Sequence, residues 1–85
     1  MTELDRQIQL FIAKAILNAG GEAVGSGFIK HAVRSGFSHL AFTDADLNRH
    51  IVALENHHVL SGTTDTLLGS VWSLTPAGRI RAQQL

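Results

Sequence analysis

Apolar positions recur at helical spacing from residue 3 to residue 18. There Leu4, Ile8, Phe11, Ile12, Ala15 and Ala19 fall on one stripe of a wheel that turns about 100° per residue. The run ends at "NAGG", where Gly20 or Gly21 suits the left-handed position that closes a helix. Leu10 and Leu17 stand on the opposite side, seven residues apart. That spacing calls for a second burial, against a C-terminal helix or a partner chain. A second helix is expected over about residues 27–35, with Ser26 as its N-cap and Phe28, Ile29, Ala32 and Val33 as its apolar face. Gly36 ends it, and the connection that follows tucks Leu40 and Phe42 inward.

A third helix is predicted over 43–56. Thr43 is its N-cap, Asp46 can return a bond to the cap backbone, and Leu47, Ile51 and Leu54 form the buried stripe. Asp44 and Asp46 also suit the positive end of the helix dipole. The wheel turns Ala45, Asn48, Arg49 and Val52 outward. Beyond this point the period falls to two, and residues 59–74 read as a β-hairpin around a Thr-rich turn. Trp72 and Leu74 share the face expected to enter the core. In "VWSLTPAGR" the strand passes at once into a short last helix, with Thr75 as cap and Pro76 in the first turn, where a missing N–H costs nothing.

At 85 residues the chain has room for one domain, residues 1–85, with a modest core. A hydrophobic share of 45% against 16% charged residues is that of a folded globular chain. Without cysteine, a disulfide framework and a thiolate metal site are excluded. Neither a secretory leader nor a membrane span is legible, so a soluble, cytoplasmic protein is expected. Seven basic residues balance seven acidic ones. Nucleic-acid binding, which leaves a basic footprint, would therefore have to rest on a local patch.

The order of three helices followed by a hairpin, with "DLNRHIVALENHHVLSG" running from the third helix into a strand and "WSLTPAGRIRAQ" closing the hairpin, resembles the winged helix-turn-helix superfamily of small regulators. The resemblance implies a mainly α fold with a small β-hairpin: a three-helix core, a two-stranded wing and a short C-terminal helix. It implies sequence-dependent binding of double-stranded DNA, with the third helix in the major groove and the hairpin on the adjacent backbone. One departure stands out. "GFSHLAF" makes the connection between the second and third helices longer than that of a compact helix-turn-helix.

On that reading Asn48 pairs with adenine, Arg49 reaches guanine acceptors and Thr43 bonds a phosphate. Ala45 and Val52 complete the reading face, Lys30 and Arg34 add backbone charge, and Thr63 and Thr64 belong to the wing. The alternative for the polar members is an ordinary solvated helix face. Against strong DNA binding stand the acids Asp44 and Asp46 and a hairpin tip, "GTTDTLLG", with no Lys or Arg. Leu67 and Leu68 in that tip suggest a rival function, a winged-helix adaptor that binds protein through them or through Leu10 and Leu17; one of the two leucines folding back onto the core is the plainer account. A homodimer would place two reading helices on two half-sites.

Five histidines raise the question of an enzyme or a metal site, but His50, His57 and His58 have no carboxylate at a convincing partner spacing. They are expected to lie at the surface or half-buried. Neither a phosphate-binding glycine loop nor a nucleophile turn is present. No cofactor and no catalytic activity are expected.

Overall fold

The computed structural model describes residues 2–67 and 69–84, the side chain of Asp65 excepted. The elements in chain order are α1 (Glu3–Asn18), β1 (Val24–Gly25), α2 (Ser26–Gly36), α3 (Asp44–Asn56), β2 (Leu60–Asp65), β3 (Gly69–Leu74) and α4 (Pro76–Gln83). All three strands are antiparallel, in the order β1-β3-β2.

α1 starts at a capping box: Thr2 accepts from the Asp5 amide, and the Asp5 carboxylate accepts from the Thr2 amide. It ends where Gly20 N–H donates to Leu17 and Gly21 N–H to Ile16, with both glycines at positive φ. The helix is buried more broadly than one stripe requires. Ile8, Gln9, Ile12, Ala13 and Ile16 are buried, whereas Leu4 is 41% exposed and Ala19 lies at the surface. The reason is position: α1 packs against α2, α3, α4 and β3. A helix with neighbours on several sides buries more than an amphipathic wheel assigns to it. Leu17 packs on the core from the far side, and Leu10 is half-buried.

The start of α2 differs from the sequence expectation. Gly25 is the N-cap, no side chain caps the helix, and Ser26 is its first residue. Val24 and Gly25 are drawn into the sheet opposite Trp72 and Val71, so extended backbone gives way to helix one residue earlier. This two-residue strand adds a third member to the expected two-stranded sheet. Phe28 is 42% exposed, while Ile29 and Val33 are buried. α1 and α2 approach so closely that a β-carbon on Gly36 would lie 2.4 Å from the Phe11 ring. Phe11 in turn meets Phe37 edge to face, with centroids 5.3 Å apart.

Residues 37–43 link α2 to α3, with Phe42 buried and Phe37 and Leu40 packed on the core. α3 opens on the expected capping box of Thr43 and Asp46 and buries Leu47, His50, Ile51 and Leu54. The hairpin pairs Leu60 with Leu74 and Gly62 with Trp72. Leu74 is buried, Trp72 packs on the core from its edge, and Val71 on the other face is buried as well. Thr75 caps α4 by accepting from the Gly78 amide at 2.9 Å, and Pro76 takes the first turn. Large side chains such as Ile12, Ile16 and Ile29, sealed at this centre, each stabilise the fold by about 1.5–3 kcal/mol relative to exposure.

Candidate nucleic-acid interface

The outward side of α3 carries Ala45, Asn48 and Val52, all exposed and spaced three and four apart. This is the placement expected of them. Val52 is 53% exposed, a large apolar side chain offered to solvent. At the other end of the helix, α3 abuts the wing: a β-carbon on Gly62 would lie 3.0 Å from Trp72 Nε1 and 3.2 Å from Glu55 Oε2. Gly62 leaves open a polar recess bounded by Glu55, Thr63, Thr64, Ser70 and Trp72. Thr63 and Thr64 are both exposed in β2, opposite Val71 and Ser70. Successive strand residues face opposite sides, so the two hydroxyls do not share a face.

The cationic residues of this side all hold partners. Lys30 on α2 donates to Asp44 at the head of α3. Its hydrogen bond and its charge hold the Asp44 carboxyl below the usual value. Arg49 reaches back to Asp5 on α1 at 3.2 Å and lies 3.9 Å from Asp46. Asp46 is held low chiefly by the Thr43 amide, then by the Thr43 hydroxyl. Asp5 is held low chiefly by the Thr2 amide, with Arg49 assisting. Arg34 donates to the Phe42 carbonyl at 3.3 Å and so braces the α2–α3 connection. Thr43 Oγ1 is engaged twice, accepting from the Asp46 amide and donating to its carboxylate.

His50 departs from the surface or half-buried position expected of it. It is completely buried, stacks on Phe42 with centroids 6.0 Å apart, and places Nδ1 3.1 Å from Gln9 Nε2. On the other side of the ring Nε2 lies 3.4 Å from Arg49 and 3.8 Å from Asp5. Desolvation, then Arg49, lowers its pKa; Asp5 and Asp46 oppose them. With Nδ1 accepting from the Gln9 amide, the neutral ring carries its proton on Nε2. The sequence signal was faint: position 50 lies beside the stripe of Leu47, Ile51 and Leu54, but a histidine reads as polar.

Leu10 lines a groove between α1 and α4, and Leu17 lies within the core packing. Leu67 at the wing tip is 92% exposed, and Leu68 lies outside the described residues. No helix among the described residues is long and apolar enough to cross a membrane.

No protein-family model and no curated protein sequence matches the chain. Among solved structures, the crystal structure of a transcriptional regulator of the MarR family from Silicibacter pomeroyi is similar, with a TM-score of 0.67 at 22% sequence identity. The match covers 91% of this chain and 47% of that one, so this chain spans about half the length of that protein. With three core helices, a wing paired back to β1 and α4 leaving directly from the last strand, the fold is a winged helix-turn-helix.

Proposed function

We propose that this protein is a small winged-helix regulator that binds double-stranded DNA, with α3 in the major groove and the wing beside the adjacent backbone. The observation that carries the reading is the exposed face of Ala45, Asn48 and Val52 on a helix capped and braced at its N-terminus. A small apolar contact, an amide and a larger apolar contact at successive turns suit a thymine methyl, an adenine edge and a second methyl. Arg49 joins them by exchanging Asp5 for a guanine or a phosphate. Lys30 exchanges Asp44 for a phosphate in the same way, so binding costs the two ion pairs and is correspondingly weak per copy. Two copies on adjacent half-sites supply the missing discrimination. The protein acts through binding, without a catalytic step.

A labelled random-sequence duplex titrated at low and moderate salt, followed by selection from a random-site pool, tests this. Affinity that falls with salt and an enriched motif are the expected results. No binding at low salt overturns the proposal.

One observation favours a second reading, an adaptor that binds protein. Lys30 and Arg49 are neutralised within the fold, while Val52 and Leu67 are exposed. Absence of DNA binding, with protection of Val52 and Leu67 by a protein, would establish it.

A further inference from the structure

The Asp5 carboxylate serves two helices. Its Oδ2 accepts from the Thr2 amide in the α1 capping box, which leaves Oδ1 to two donors from α3: Arg49 Nη1 at 3.2 Å and His50 Nε2 at 3.8 Å. Arg49 Nη2 and His50 Nε2 are themselves 3.4 Å apart. The two donors differ in kind. Arg49 is more than half exposed and always charged, whereas the His50 ring is completely buried and gains a charge only with a second proton.

That second proton belongs on Nδ1, and the fold has an acceptor for it. Nδ1 of the neutral ring accepts from Gln9 Nε2 at 3.1 Å. Rotation of the terminal amide, about a torsion with two broad minima, presents the Gln9 oxygen in its place without moving backbone. Both protons of the charged ring are then bonded, one to Gln9 and one to the Asp5 carboxylate, which is what a buried charge requires. The same groups therefore support two arrangements.

The remaining charges around the ring are already engaged. α3 packs against α1, α2 and β2. From α1, Arg6 pairs with Glu3. From α2, Lys30 is held by Asp44 and Arg34 by the Phe42 carbonyl. Residues 60–64 of β2 include no titratable side chain. Within α3, Asp46 lies 3.9 Å from Arg49. A proton on Nδ1 thus acts mainly on one contact: it sets a second cation beside Arg49 and strengthens the rival for Asp5. The buried rival is screened less by water and salt than the exposed guanidinium.

We infer that His50 is a proton-operated release for Arg49: the doubly protonated ring takes Asp5 for itself and turns the guanidinium out to the exposed side of α3. Burial, then Arg49, holds the ring's pKa below 6.5, and Asp5 stays ionised because its own lies below 3.8, so the release operates between those values. Its consequence for DNA rests on the proposed function: a duplex meets a free Arg49 in acid and a paired one at neutral pH.

The experiment is an NMR titration of isotope-labelled protein from about pH 8 to about pH 5, reading the His50 ring nitrogens and the Arg49 Nε–H signal. Both should move with one midpoint below pH 6.5 while the backbone signals remain those of the folded protein. Asp5→Asn should show Arg49 free at every pH, without a step. Gln9→Glu supplies a charged acceptor for the second proton and should carry both midpoints to higher pH together. A ring that stays neutral across the range, an Arg49 signal that does not follow it, or unfolding at the same midpoint would overturn the release. Acid adds charge to any chain that contains histidines, so the DNA measurement compares wild type with Asp5→Asn at constant salt. Acidification should raise affinity for a random-sequence duplex about threefold more in the wild type. An equal gain in both overturns the effect on DNA. No binding at any pH overturns the DNA reading instead, and the release is then decided by the NMR titration, which contains no DNA.

Discussion

Gly78 in the first turn of α4 stands directly against the backbone of Val59: a β-carbon there would lie 2.2 Å from the Val59 carbonyl oxygen. The same carbonyl accepts from the Thr75 amide at 3.0 Å, and the Thr75 hydroxyl donates to the carbonyl of His58. Thr75 and Gly78 thus lock the end of β3 and the start of α4 onto the segment joining α3 to β2. Gly78→Ala forces backbone apart and should destabilise the protein by about 1–3 kcal/mol, the usual range for overpacking. Urea denaturation should show a lower midpoint, and an unchanged midpoint would mean that α4 is free to shift.

α3 ends with His58 in the left-handed region, at φ 59°, while His58 N–H donates to Glu55 and Val59 N–H to Leu54. Glycine adopts this conformation without the penalty that a β-carbon brings. His58→Gly relieves about 1–2 kcal/mol of left-handed strain against about 0.4–1 kcal/mol of added entropy in the unfolded chain, and the backbone carbonyl that accepts from Thr75 is kept, so stability should rise. A higher urea midpoint at unchanged slope is the expected result.

The elements legible in the sequence were those whose signals are local. Thr43 with Asp46, Thr75 with Pro76, and Gly20 with Gly21 each mark a helix end within four residues, and each lies where expected. β1 was not legible: two residues carry no period, and their pairing with Trp72 and Val71 is decided by a strand far along the chain. The same limit applies to the site. The wheel places Ala45, Asn48 and Val52 outward, but it cannot show that Arg49 is held by Asp5 or Lys30 by Asp44, because both pairs join different helices. His50 was misjudged for a related reason, since its partner Gln9 belongs to α1 and makes a buried polar ring acceptable.

His50 makes stability depend on pH near neutrality. Burial lowers its folded pKa below the ordinary 6.5, so between the two values the unfolded chain binds the proton that the folded protein refuses. Stability from this group is fully present above about pH 6.5 and declines as pH falls below it. A second decline follows below pH 3.8, where Asp5, Asp44 and Asp46, all lowered in the fold, begin to be protonated in the unfolded chain. Replacing the pair together, Gln9→Leu with His50→Leu, removes both polar partners and should flatten the upper step. Urea midpoints measured from pH 8 to pH 5 test it, and a double variant as steep as the wild type would assign the step to other groups.

The ion pairs at the reading face set the last expectation, which rests on the DNA proposal. Asp5 competes with DNA for Arg49, and it is also the acceptor of the α1 capping box. Asp5→Asn keeps an oxygen for the Thr2 amide while removing the charge, so it should release Arg49 without unwinding the helix start. Affinity for every duplex sequence should rise, because one fewer ion pair is broken on binding. Arg49→Ala separates the two roles open to that side chain. Loss of about 1–3 kcal/mol at a single base pair makes it a guanine contact. A uniform loss across sequences, with the salt slope reduced by about one, makes it a phosphate contact. Lys30→Ala should give the uniform loss alone, since its ammonium lies on α2 and not on the helix proposed to enter the groove. If Asp5→Asn leaves affinity for all sequences unchanged, Arg49 is not used, and the contacts must come from Asn48 and its exposed neighbours.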